Sequence, residues 1–170
     1  VRRDGSSNFS ANNRYGVFPS ISGAWTISNE PFFRSLKDKI SLAKIRIGYG
    51  TTGSDKIPPY AFSPVVISNV DYPLGGGSNL VSGMTQPGYA DPNLKWESNV
   101  SKNFGIDLDF QRGKAGLNID IYEQDKKDML LAIAPPISAG STPISSKNYD
   151  RYRTNVGNLQ NKGIEISGHL

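Results

Sequence analysis

Between positions 99 and 110 the even residues Val100, Phe104, Ile106, Leu108 and Phe110 are apolar, interrupted only by Lys102. The odd ones, Asn99, Ser101, Asn103, Gly105, Asp107 and Asp109, are polar or glycine. A period of two marks a strand with unlike faces. This one persists for about twelve residues, longer than an ordinary globular strand and close to the 9 to 11 of a tilted strand crossing a membrane. Gln111, Arg112, Gly113 and Lys114 then supply a short turn. Over 115–124 the alternation resumes, with Ala115, Leu117, Ile119 and Ile121 on one face and Gly116, Asn118, Asp120 and Tyr122 on the other. The two segments predict one long antiparallel hairpin. The same pattern runs over 18–27, where Ile21, Trp25 and Ile27 oppose Ser20, Ser22, Ala24 and Thr26. Over 42–51, Ala43, Ile45, Ile47 and Tyr49 oppose Lys44, Arg46, Gly48 and Gly50. Between these two, Ser28, Asn29, Glu30 and Pro31 read as a helix start, predicting one or two turns that carry Phe32, Phe33 and Leu36. Over 163–170, Ile164, Ile166 and Leu170 oppose Glu165, Ser167 and His169, so the chain is expected to stop inside a strand.

The connections are unequal. Short joins at 28–41 and 111–114 alternate with long ones at 52–98 and 125–162, whereas loops beyond about 12 to 15 residues are uncommon in compact domains. Short turns at one end and long loops at the other is the asymmetry of outer-membrane barrels. With the long loops outside, Lys102 and Glu123 fall near the outer strand ends, where charged side chains can snorkel. Tyr49 and Trp96 fall at that level too. Trp25, Phe32, Phe33 and Phe110 fall at the inner one, as two interfacial aromatic girdles require. The expected fold class is all-β, part of a transmembrane antiparallel β-barrel with long extracellular loops and short periplasmic turns.

Composition narrows the chemistry. With 170 residues the chain fits one domain or a piece of one, and 18 Gly with 11 Pro predict many turns and few long helices. The absence of Cys excludes a disulfide scaffold, a thiolate metal site and a Cys nucleophile. No apolar stretch approaches the roughly 18 to 20 residues of a spanning helix. A net charge of +4 is mild and its basic residues form no stripe with aromatics, so nucleic-acid binding has no support. The chain starts at Val1 and shows no basic, apolar, small-residue signal segment, so a mature piece or an internal fragment is expected.

Asp107, Asp109 and Asp120 share one hairpin face, and paired carboxylates can do acid/base work. The same residues, with Lys44, Arg46, Glu165 and His169, equally line a wet barrel lumen, which is the preferred reading. A lone histidine makes no zinc site. Asp4-Gly5-Ser6-Ser7 reads as a turn, Gly75-Gly76-Gly77-Ser78 lacks the ending of a phosphate loop, and no Gly-x-Ser-x-Gly elbow occurs. No catalytic residue, cofactor or metal site is expected, and the chain is read as no enzyme. Tyr60, Phe62, Tyr72, Tyr89, Tyr149 and Tyr152 lie in the long loops among Asn, Ser and Asp, a composition suited to sugar or peptide cargo; the competing reading is that they pack the loops together.

A series of phrases then appears in order: Arg2-Arg3-Asp4-Gly5-Ser6-Ser7, Asn12-Asn13-Arg14-Tyr15-Gly16, Phe18-Pro19-Ser20 leading to Ala24-Trp25, and Ile45 through Gly53. After them come Asp91-Pro92-Asn93-Leu94-Lys95-Trp96-Glu97, Lys126-Lys127-Asp128-Met129-Leu130-Leu131, and Asn155-Val156-Gly157 with Asn161-Lys162-Gly163-Ile164-Glu165. In this order they resemble the SusC/RagA-like TonB-dependent outer-membrane transporters of Bacteroidota over nearly the whole chain. Asp91 stands where that family often has Asn. The resemblance implies an internal stretch of the carboxy-terminal half of a barrel of about 22 strands, without its plug, its TonB-contacting segment or its closing strands. It also implies an outer-membrane location, lipid around the barrel, import of oligosaccharide or peptide cargo powered through TonB, and a SusD-like surface lipoprotein partner. The alternatives are a soluble β-sandwich carbohydrate-binding module, with the apolar faces turned into a core, and a secreted hydrolase fragment, disfavoured for want of a nucleophile or metal signature.

Overall fold

The computed structural model describes residues 1–76, 79–86, 89–111, 113–135, 138 and 151–170. In chain order its strands are β1 (Arg2–Gly5), β2 (Tyr15–Phe18), β3 (Ser20–Thr26), β4 (Ile40–Ser54), β5 (Ile67–Pro73) and β6 (Leu80–Thr85). They continue with β7 (Glu97–Phe110), β8 (Ala115–Lys127), β9 (Leu130–Ile133), β10 (Tyr152–Asn155) and β11 (Leu159–His169). The principal sheet has five antiparallel strands in the order β11-β8-β7-β4-β3 and is open, with β3 and β11 as its edges. The remaining strands form the two-stranded ribbons β1-β2, β5-β6 and β9-β10. Among the described residues no helix is long and apolar enough to cross a membrane.

Register makes the alternation collective. Trp25, Ile45, Ile106, Ile119 and Ile166 stand opposite one another in a row across the sheet, followed by Gly23, Ile47, Phe104, Ile121 and Ile164. Because strand partners project to the same face, these rows merge into one apolar surface. Among the described residues nothing covers it: Ile47, Ile164 and Ile166 are 58%, 66% and 68% exposed. A β-sandwich would bury this face against a second sheet.

The two tight connections lie at one end of the sheet. Beyond Phe110 the β7-β8 turn places Gln111 at φ +48° and Gly113 at φ +86°, with the Gly113 amide donating to the Phe110 carbonyl at 3.0 Å. Glycine meets that left-handed requirement without a Cβ clash. The β3-β4 join is two short 3-10 turns, Ile27–Asn29 and Pro31–Leu36, with Pro31 starting the second and Phe33 buried. The Gln111 amide bonds the Lys39 carbonyl at 3.2 Å and brings the two connections together.

At the other end the strands outrun their alternation. β4 continues to Ser54 and β8 to Lys127, and β4 stays in register with β7 as far as Ser54 opposite Glu97. Backbone pairing needs no apolar face, so it persists through the polar residues at these ends. The long connections carry ribbons of their own, β5-β6 within 52–98 and β9-β10 within 125–162. A small core of Phe9, Ile57, Leu94 and Leu130 joins the β1-β2 connection, the 52–98 connection and β9, and in it Phe9 and Leu94 are 0% exposed. Full burial of such side chains contributes roughly 1.5–3 kcal/mol each.

The Asp91–Glu97 phrase clasps this body together. Asp91 folds back to accept from the Asn93 amide at 2.9 Å, and its other oxygen accepts from the Thr154 hydroxyl at 2.6 Å. Asn155 accepts from the Lys95 amide and donates to the carbonyls of Lys95 and Asp128. Glu97 accepts from the Leu130 amide at 3.0 Å. On the far side Ser6 donates to the Asp55 carboxylate at 2.7 Å and Asn8 donates to the Asp55 carbonyl. These side chains occupy backbone groups that loops leave unpaired.

Candidate functional site

The polar face of the sheet gathers the charged residues singled out by the sequence. Cross-strand rows place Leu42, Asp109, Gly116 and His169 in line, then Lys44, Asp107, Asn118 and Ser167, then Arg46, Gly105, Asp120 and Glu165. Lys44, Arg46, Asp107, Asp109, Asp120, Glu165 and His169 therefore share one surface. At its centre the Arg46 guanidinium donates to both oxygens of Asp107 at 2.8 Å and to both of Asp120 at 3.1 Å. A planar fork bridging two carboxylates is the arrangement for which Arg is suited and Lys is not.

Glycine makes room for this cluster. Gly105 is buried, and a Cβ there would meet the Arg46 guanidinium at 2.7 Å and Asp120 Oδ1 at 2.6 Å, so the arginine crosses β7 over a bare backbone. Gly116 does the same two rows away: a Cβ would meet His169 Nδ1 at 2.8 Å and Asp109 Oδ1 at 2.9 Å. With their carboxylates tied to Arg46, Asp107 and Asp120 form one ion-paired cluster across β4, β7 and β8. No group of His, Asp and Glu able to hold a metal occurs among the described residues.

The loop body offers a second locus. A cleft of about 550 Å³ is lined by Pro59, Tyr60, Tyr89, Arg151, Tyr152 and Arg153 among others. Tyr89 and Tyr152 stand 6.1 Å apart between ring centroids. Tyr60 sits at φ +61°, a backbone region that is unusual for a bulky aromatic and associated with functional constraint. Three of the tyrosines picked from the sequence thus converge. Tyr72 stays on the β5-β6 ribbon opposite Val81, and Tyr149 lies outside the described residues. Phe62, partly buried, packs against the loop core with its ring 6.4 Å from that of Tyr60. The two arginines escaped the sequence reading because no local pattern connects Arg151 and Arg153 to residues some ninety positions earlier.

The aromatics expected at interfaces divide. Trp25, Tyr49 and Phe110 occupy the apolar face, with the Trp25 indole donating to Glu30 at 3.0 Å. Trp96 does not. It is held inside the loop body, 5.3 Å from Phe9 and 5.4 Å from Phe18 between ring centroids, with its indole N–H directed at the Arg14 carbonyl. It precedes β7, so strand parity does not govern its direction, and the buried rings hold it more effectively than an exposed position would.

Comparison with known proteins accords with this geometry. The family model described as "TonB dependent receptor-like, beta-barrel" matches residues 1–170. The chain is 32% identical over 169 residues to the TonB-dependent receptor SusC of Bacteroides thetaiotaomicron, and 36% identical over 167 residues to the TonB-dependent receptor P3 of Formosa agariphila. Each match takes 98% of this chain and 16% of the relative. Among solved structures, the RagAB peptide importer in its closed-closed state superposes with a TM-score of 0.78 at 27% identity, covering 98% of this chain and 17% of that one. The chain therefore spans about one sixth of the length of the relatives it matches. An uncovered apolar face, a charged and glycine-studded opposite face, loops gathered at one end and a family match from first residue to last together place this chain in the TonB-dependent receptor β-barrel family of the bacterial outer membrane.

Proposed function

We propose that this chain is a section of the barrel wall of an outer-membrane importer that takes up glycans or peptides, is energised through TonB, and works with a SusD-like surface lipoprotein. The observation that carries the proposal is the two-faced sheet. Its isoleucine rows are exposed and continuous, as contact with acyl chains requires, while Arg46 bridging Asp107 and Asp120 makes the reverse face polar and charged. On this reading Lys44, Arg46, Asp107, Asp109, Asp120, Glu165 and His169 line the lumen. Trp25 and Phe110 mark the periplasmic interface and Tyr49 the outer one. The cleft between Tyr60, Tyr89 and Tyr152 meets cargo, its rings offering apolar faces and its arginines hydrogen bonds. Transport and not catalysis is the role, since SusC, P3 and RagAB are receptors or importers by name.

The test is accessibility in the full-length receptor reconstituted in liposomes. A nitroxide at Ile106 should collide with oxygen dissolved in the acyl chains, and one at Asp107 with a water-soluble nickel reagent. Equal shielding of both labels from both reagents would place the isoleucine face in a protein interior and return the soluble sandwich to first place. Uptake is read separately, by growth of the native host on single glycan or peptide sources with and without the receptor.

A further inference from the structure

The apolar face ends abruptly in a charged row. One step beyond Phe104, Ile121 and Ile164, the same three strands place Lys102, Glu123 and Lys162 opposite one another. These six residues line a cleft of about 460 Å³ on the outward face. The two rows are about 7 Å apart along the strands, as two residues of extended chain dictate. Glu123 lies between both ammonium groups: Lys102 Nζ is 3.4 Å from its Oε1 and Lys162 Nζ is 3.7 Å from the same oxygen. Gln160 also donates to Glu123 at 3.3 Å, so that carboxylate is well supplied with donors. Both lysine side chains remain more than half exposed. Asp125, one row further out on the same face and held by Gln160 at 2.6 Å, faces Lys102 and Lys127, so the three lysines exceed Glu123 and Asp125 by one positive charge.

We propose that this cleft is a binding site for a phosphate-bearing acyl lipid of the outer leaflet. The lipid phosphate bridges Lys102 and Lys162, and one acyl chain lies in the groove over Phe104, Ile121 and Ile164. The occupant follows from charge and position. The groove is apolar for one chain width and then becomes cationic where the headgroup level begins, as an anionic amphiphile requires. An uncharged cargo molecule would have no use for the lysines, and a partner protein would leave the isoleucines below them uncovered. This site rests on the reading of the isoleucine face as lipid-facing.

The experiment titrates the full-length receptor, purified in detergent, with phosphatidylglycerol or with phosphatidylcholine carrying the same tails, and counts retained lipids by native mass spectrometry. The wild-type protein is expected to retain phosphatidylglycerol preferentially. K102Q/K162Q should reduce that preference at least three-fold, and K102R/K162R should preserve it. An unchanged preference in K102Q/K162Q, or equal retention of the two lipids by the wild type, would overturn the site. The nitroxide at Ile106 separates the two levels of failure: lipid contact at Ile106 without the lysine effect removes this site alone, whereas a shielded Ile106 removes the barrel-wall reading with it.

Discussion

The five-stranded sheet and the loop body above it are built on opposite principles. The sheet turns its largest apolar side chains outward and keeps charge on its other face, so it has almost no interior of its own. The loop body encloses Phe9, Ile57, Leu94 and Leu130 and braces them with side-chain bonds to backbone, as a small water-soluble domain would. The difference follows from solvent. In acyl chains a buried core gives no hydrophobic advantage, and backbone pairing between strands is the obligatory term. In water the loops must remove apolar surface and satisfy their own amides. One chain obeys both rules, and the change of rule falls at the row of Lys102, Glu123 and Lys162.

Substitutions should sharpen that contrast, the largest effects coming from the loop core. Phe9→Ala empties a fully buried site and should cost about 3–5 kcal/mol of loop-body stability, read as a gain in protease sensitivity of the outer loops while heat-modifiable barrel mobility on gels is kept. The equivalent truncation in the sheet, Ile106→Ala, should be nearly silent because lipid fills the space. Comparable losses at the two positions would erase the distinction. Next, Ile106→Arg places a charge against acyl chains and should cost about 2–4 kcal/mol in a bilayer, measured by urea unfolding in liposomes. The isosteric question on the other face, Asp107→Asn, should cost far less on the proposed reading that this face lines the lumen.

Smaller effects belong to the polar face and the cleft. Arg46→Gln should cost about 1 kcal/mol once the solvent exposure of the guanidinium is allowed for. Gly105→Ala should cost a similar amount, because the new methyl displaces the Arg46 head from Asp120. The double variant should cost little more than either single change, and simple additivity in the unfolding cycle would show that the two residues do not act through one cluster. Finally, Tyr152→Ala should leave stability unchanged and weaken cargo binding by about two- to ten-fold, the worth of one aromatic contact. An unaltered equilibrium affinity would assign that ring to loop packing.

Some of this was legible in the residues and some was not. Alternation over 99–110 and 115–124 is a local property, visible wherever a strand has a wet and a greasy side, and it named the rows of Ile106 and Ile119 and the shared face of Asp107 and Asp120. Beyond the alternating stretch nothing local distinguished strand from loop, so the ribbons β5-β6 and β9-β10 and the extension of β4 to Ser54 were invisible. Trp96 shows the limit most sharply: at the start of a strand its type suited an interface, and only the rings of Phe9 and Phe18 decided otherwise.

The order of amino acids by itself determined which residues share a face, where the tight turns fall and to which family the chain belongs, because these depend on spacing along the backbone. The tertiary structure alone decided that Arg46 spans two strands to reach Asp107 and Asp120 over a bare Gly105, and that Phe9 meets Leu94 and Leu130. It alone also brought Tyr60, Tyr89 and Tyr152 around one cleft. Those encounters join positions far apart in the chain. Their energies arise from burial and ion pairing, which exist only once the strands have found their register.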